Sequence, residues 1–159
     1  MSDFKSGSID GVLVRPVKKH RDDRGWLAET YRRDEIPARY LPQMSYISVS
    51  LPGTIRGPHE HADQSDYFVF LGPGNVKVWL WDNRKDSATY WNRMVFLAGI
   101  DNPTSVLIPE GVVHAYQNLG SENVTVLNFP NRLFMGEGHR EPVDEIRHEA
   151  DPKTPFHVE

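Results

Sequence analysis

With 159 residues, 22 acidic against 18 basic side chains, a formal charge of −4 and no cysteine, the chain has the length of one compact unit with a real core, not of two. Its Lys and Arg are scattered among acidic residues without a basic stripe, which speaks against nucleic acid as a partner, and the missing cysteines exclude disulfides and thiolate metal sites. No run of about eighteen apolar residues occurs, and Met1-Ser2-Asp3-Phe4-Lys5 lacks the apolar stretch of a signal peptide, so the expectation is a cytoplasmic protein with a small-molecule ligand and no membrane contact.

Short runs rich in β-branched and aromatic residues follow one another along the chain: Val12 to Val17, Trp26 to Tyr31, Ser45 to Ser50, Tyr67 to Leu71, Val76 to Trp81, Met94 to Leu97, Val106 to Ile108 and Val124 to Phe129. This spacing predicts an all-β sandwich or barrel. Leu51-Pro52-Gly53, Gly72-Pro73-Gly74-Asn75, Asp101-Asn102-Pro103 and Leu119-Gly120-Ser121 supply the turn chemistry between runs. Asp34 to Tyr40 has helical character, but Pro37 near its first turn limits it to a turn or two. Val78 and Leu80 alternate with Lys77, Trp79 and Trp81, which predicts a strand with an apolar body on both faces, one for the core and one for a further layer or a second subunit. Trp79, Trp81, Tyr90 and Trp91 are then either packing aromatics or a platform for a nucleotide base or sugar ring. After about Asn131 charge and proline accumulate. Residues 131–159 are therefore expected to form an extended tail across the outside of a single domain spanning residues 1–159.

Two histidine-bearing strings carry the chemistry. His59-Glu60-His61 with Asp66 beyond it, and Pro109-Glu110-Gly111-Val112-Val113-His114 with Asn118 beyond it, both lie in strand-like sequence. Alternate strand residues share a face, so His59 and His61 can aim into one cavity while Glu60 points away, and Asp66 and His114 can close the set. Three imidazoles and a carboxylate suit either a metal site for iron(II), manganese, nickel or zinc, or a metal-free acid–base pocket. His20, His139, His148 and His157 lie in charged or loop-like sequence and read as surface side chains. Arg140 to Glu149 reads as a solvated tail or a subunit contact.

The stretch Gly53 to His61 resembles the first cupin motif, with Asp66 where glutamate is usual, and Pro109-x-Gly111-x-x-His114-x-x-x-Asn118 resembles the second. That resemblance implies a cupin-type antiparallel β-barrel or jelly roll with little helix. Asp22 to Glu29, Gly53 to His59, Trp81 to Thr89 and Ile108 to Tyr116 are in order similar to the dTDP-4-dehydrorhamnose 3,5-epimerase family, itself cupin-shaped. The resemblance implies metal-free removal and return of protons beside the ketone of a nucleotide-linked 4-keto-deoxysugar. It also implies a homodimer that exchanges N-terminal strands. His59 corresponds to the catalytic base, and Asp151, in Glu149-Ala150-Asp151-Pro152, to its orienting carboxylate. Arg24 and Arg56 match positions that grip pyrophosphate or sugar oxygens, Glu29 a position near the base, and His114 one near the sugar.

Two positions depart from that pattern. Asp66 stands where the family carries an enolate-steadying lysine, and Asn128 where it brings the tyrosine that serves as general acid. Tyr67, Tyr116 and Tyr46 are the tyrosines left to substitute. With His61 where glutamine is more usual, the same changes suit a metal-dependent cupin enzyme in which His59, His61, Asp66 and His114 are ligands, the ion polarises the ketone and His59 is no longer a free base. A non-catalytic sugar-binding cupin that keeps Arg24 and Arg56 is the third expectation.

Overall fold

A computed structural model describes residues 4–159; Met1, Ser2 and Asp3, part of the start read above for a leader, lie outside them. Its strands are β1 (Lys5–Ser6), β2 (Leu13–Pro16), β3 (Lys19–Asp22), β4 (Gly25–Ala28), β5 (Tyr46–Ser50), β6 (Ile55–Glu60), β7 (Asp66–Phe70), β8 (Asn75–Asp82), β9 (Asn92–Gly99), β10 (Thr104–Ile108), β11 (Val112–Asn118), β12 (Val124–Asn128) and β13 (Ile146–Arg147). The six-stranded sheet runs β1-β9-β8-β11-β6-β13 and the five-stranded sheet β2-β10-β7-β12-β5, while β3 and β4 form a separate ribbon. The pairings are antiparallel apart from β1 with β9. This is the all-β cupin jelly roll expected from the sequence.

Period-two patterning explains the layers. Phe68 and Phe70 of β7, Val106 and Ile108 of β10, and Val124 and Val126 of β12 meet Val78 and Leu80 of β8 and Val112 and Tyr116 of β11 in the central core. The opposite face of β7 and β10 presents Tyr67, Val69 and Leu107 to Ile36 and Tyr40. These last two residues belong to the stretch expected to be weakly helical, which forms 3-10 turns at Arg33–Glu35 and Ala38–Tyr40. The outward face of β8 and β11 carries Trp79, Trp81, Val113 and Ala115, covered by Phe156. Trp79 and Trp81 are thus packing aromatics, and the further layer comes from the chain's own C-terminal end.

That end only partly follows expectation. Phe156 lies on the outside of the six-stranded sheet, 5.8 Å from the Trp81 ring, but the segment before it turns inward to line a cleft. β3, Lys-His-Arg-Asp, has no apolar alternation and was not foreseen. It exists by pairing with β4 through the Asp22-to-Gly25 turn. For the site, the important relations are that β6 and β11 are neighbours in one sheet, with His59 opposite His114, and that β7, β12 and β5 are neighbours in the other, with Asn128 opposite both Phe68 and Tyr46.

Candidate active site

The mouth between the two sheets opens into a cleft of 1310 Å³ whose walls include Tyr46, Ser48, Arg56, His59, His61 and Tyr116, with Arg132, Glu145 and Arg147 of the C-terminal segment at its edge. This is room for a ligand larger than a single sugar. Strand alternation holds on β6: His59 faces the cleft, and Glu60 points the other way, where its Oε1 accepts from Asn83 Nδ2 at 2.8 Å and lies 2.8 Å from His148 Nε2. His148 is therefore not the free surface side chain expected from the sequence.

The His59 ring stands 4.4 Å from the His114 ring and 5.6 Å from that of His61, edge to face in both cases. It has no hydrogen-bond partner among the described residues. Burial first, then the neighbouring imidazoles of His114 and His61, push its pKa down to about 2, so His59 is held as a neutral base. His61 is the reverse case. Its Nε2 lies 3.0 Å from Asp66 Oδ2 and its Nδ1 contacts the Asp144 carbonyl. Burial disfavours the imidazolium, but the bond to Asp66 and that carboxylate's charge outweigh it, with help from Asp144, and raise the pKa to about 9.

Asp66 itself is fully enclosed. Its Oδ1 accepts from Gln64 Nε2 and Asn128 Nδ2, each at 2.9 Å. Burial works against its charge, yet the contacts with His114 and His61 prevail and hold it well below the usual carboxylate range. His114 Nδ1 donates to the Val112 carbonyl at 3.1 Å. Its Nε2 lies 3.3 Å from Asp66 Oδ2, close enough for charge interaction but without a well-aligned hydrogen bond among the described residues.

The structure thus brings His59, His61, His114, Asp66, Asn128 and Arg56 to one place. Arg56 is anchored on the rim by Ser50 Oγ at 2.9 Å and the Val49 carbonyl at 2.8 Å. Three expected residues are elsewhere. Asp151 is exposed and its Oδ1 caps the following turn by accepting the Lys153 N–H at 2.9 Å, so it does not orient His59. Arg24 sits on the ribbon turn with its side chain 85% exposed, paired to Asp22 at 2.6 Å. Glu29 bonds Arg32 at 3.1 Å and lines a separate hollow of 170 Å³ with Lys18 and His20.

The sequence reading missed Asp144, whose carboxylate accepts the backbone N–H groups of Ala62, Asp63 and Gln64, each at 2.8 Å. It clamps the turn between His61 and Asp66. Its only sequence mark was membership of a charged tail.

The dTDP-4-dehydrorhamnose 3,5-epimerase family model matches residues 6–140. The chain belongs to that family. It is 43% identical over 126 residues, 79% of this chain and 82% of the relative, to the spore coat polysaccharide biosynthesis protein SpsL of Bacillus subtilis. To the probable low-salt glycan biosynthesis epimerase Agl13 of Haloferax volcanii it is 32% identical over 154 residues, 94% of this chain and 98% of the relative. The same fold appears in a dTDP sugar isomerase from Desulfovibrio desulfuricans (TM-score 0.79, 21% identity, 94% of this chain and 91% of that one). It appears again in the Streptomyces bikiniensis 3'-monoepimerase ChmJ, solved with dTDP-quinovose (TM-score 0.77, 21% identity, 96% and 77%).

Membership makes the chain a nucleotide-sugar epimerase-like enzyme of the isomerase class, from a family that acts without a cofactor. The residue set would also accept a divalent cation. The donor nitrogens of His59, His61 and His114 all lie within 4.8 Å of one another, His114 Nε2 makes no hydrogen bond among the described residues, and Asp66 adds a hard oxygen.

Proposed function

We propose that the chain epimerises a nucleotide-linked 4-keto-deoxysugar, with dTDP as the nucleotide, by proton abstraction beside the ketone at His59. The observation that carries this reading is the His59 imidazole, neutral, facing the cleft and without a hydrogen-bond partner among the described residues. A buried imidazole resists charging, and the negative charge of a forming enolate beside it offsets that cost in the transition state. Asp66 does not repel that enolate as a bare carboxylate would. It is matched by the His61 imidazolium and two amide donors, so the pair presents a dipole rather than a net negative charge. Arg56 supplies the fixed positive fork for pyrophosphate or sugar oxygens.

The working unit is a homodimer. Leu27 is 65% exposed on the ribbon and Ile47 66% on the edge strand β5, apolar surface that a second copy would cover. The distance of Arg24 from its own cleft is then explained by delivery into the partner's.

The test is incubation of a dTDP-linked 4-keto-6-deoxysugar in D2O. Wild type should introduce deuterium beside the ketone and His59→Asn should not. A wild-type protein that binds the sugar without any label would instead be a non-catalytic sugar-binding cupin.

A further inference from the structure

Inversion at carbon requires a proton donor on the face opposite the base, and the geometry points to Tyr46 as that donor. This assignment rests on the epimerase reading. His59 projects from β6 in one sheet and Tyr46 from β5 in the other, and both line the same cleft. A flat enolate lying between the sheets would meet the imidazole on one side and the phenol on the other.

The hydrogen bonds around Asn128 decide which way the Tyr46 hydroxyl works. Asn128 Oδ1 accepts the Tyr67 backbone N–H at 3.1 Å, so its other terminus is the NH2 group. That group donates to Asp66 Oδ1 at 2.9 Å and to Tyr46 Oη at 2.8 Å. Tyr46 is the acceptor in this contact. Its own O–H proton is not used on Asn128 and is available to a ligand in the cleft.

Two other tyrosines are placed less favourably. Tyr67 lies in the cluster on the far side of its sheet, beside Val69 and Leu107. Tyr116 is wedged at 5.6 Å against Phe70 and shares a 3.0 Å hydrogen bond with Ser48. Burial foremost, then the Asp66 charge, raise Tyr46 to about 12 against the opposing Asn128 bond, so the phenol is protonated throughout the working range.

In the step itself His59 takes the C–H proton and the electron pair passes to the enolate. The enolate carbon then takes the Tyr46 proton on its other face, leaving tyrosinate and imidazolium. Exchange with water in the open cleft returns one proton to Tyr46 and removes one from His59.

The experiment follows both inversion and deuterium uptake on a dTDP-linked 4-keto-6-deoxysugar in D2O. In Tyr46→Phe, inversion should fall on the order of 100-fold while uptake into unreacted substrate stays within about threefold of wild type, because abstraction and same-face return need only His59. Tyr67→Phe, on the far side of its sheet, should retain both. Inversion by Tyr46→Phe within about threefold of wild type, or joint loss of uptake and inversion in the folded variant, would overturn the assignment. If wild type shows neither process, the epimerase reading itself falls. 3-Fluorotyrosine placed at position 46 gives an independent reading: a more acidic phenol should move the alkaline limb of kcat to lower pH, and an unmoved limb would count against Tyr46.

Discussion

Asp66 sits where a carboxylate is costliest to bury and is kept ionised by His61 and by the Gln64 and Asn128 amides. Asp66→Asn preserves shape but removes the charge that holds His61 at about 9. We expect a loss of about 2 kcal/mol in urea unfolding at pH 6. His61 has a folded-state pKa above its unfolded value of about 6.5, so its contribution is complete below pH 6.5 and fades as pH rises to about 9. The gap between wild type and Asp66→Asn should therefore narrow across that window, and a gap independent of pH would refute the ion pair. His59 has the opposite sign. Its depressed pKa means that stability is lost as pH falls below about 6.5. The same imidazoles make a second prediction: Ni2+ should inhibit reversibly, with EDTA restoring activity, because coordination removes the lone pair that His59 needs as a base. Indifference to saturating Ni2+ would mean that the three nitrogens do not converge on an ion in solution.

Gly57 shows how the β6 and β11 elements fix the base. Its φ is +83°, and a Cβ there would lie 2.4 Å from the His114 carbonyl oxygen and 3.1 Å from the His59 nitrogen, at the point where the β6–β11 register shifts. Gly57→Ala must push these backbones apart, at a cost on the order of 3 kcal/mol in urea unfolding. A cost under about 1 kcal/mol would show that β6 yields without disturbing His59. Elements of this kind were legible in different degrees. β7 and β10 were read directly because Tyr67 to Phe70 and Val106 to Ile108 are unbroken apolar runs buried on both faces. β3 was not, since Lys-His-Arg-Asp has no apolar alternation and takes its strand pairing from its ribbon partner. His59, His61, Asp66 and His114 could be grouped from strand alternation and motif spacing. The contacts of Asn128 with Tyr46 and of Asp144 with the Ala62-to-Gln64 turn join residues about eighty positions apart, and strand order, not local pattern, creates them. Asp151 was misplaced for a related reason: string similarity locates the segment, but the turn at His148–Ala150 decides where the carboxylate points.

For the whole molecule, the unsolved balance is apolar surface. β5 is the edge of its sheet and exposes Ile47 and Val49 beside Leu51 and Ile55, while the ribbon exposes Trp26 and Leu27. A free edge strand with this composition invites uncontrolled pairing unless something covers it. A second copy would cover it without leaving a new edge, because a two-fold contact is closed. Light scattering should therefore give a particle of twice the 18.2 kDa chain. Ile47→Lys combined with Val49→Lys should shift that mass toward one chain, since two unpaired ammonium groups cannot be buried in an apolar contact. The kinetic consequence separates a dimer that is merely packed from one that shares sites. If the ribbon carries Arg24 into the partner's cleft, the monomeric variant and Arg24→Ala should both raise KM for the nucleotide sugar, and combining them should add little, because each removes the same contact. Additive effects would place Arg24 outside the neighbouring site, and a wild-type particle of one chain would remove the dimer altogether.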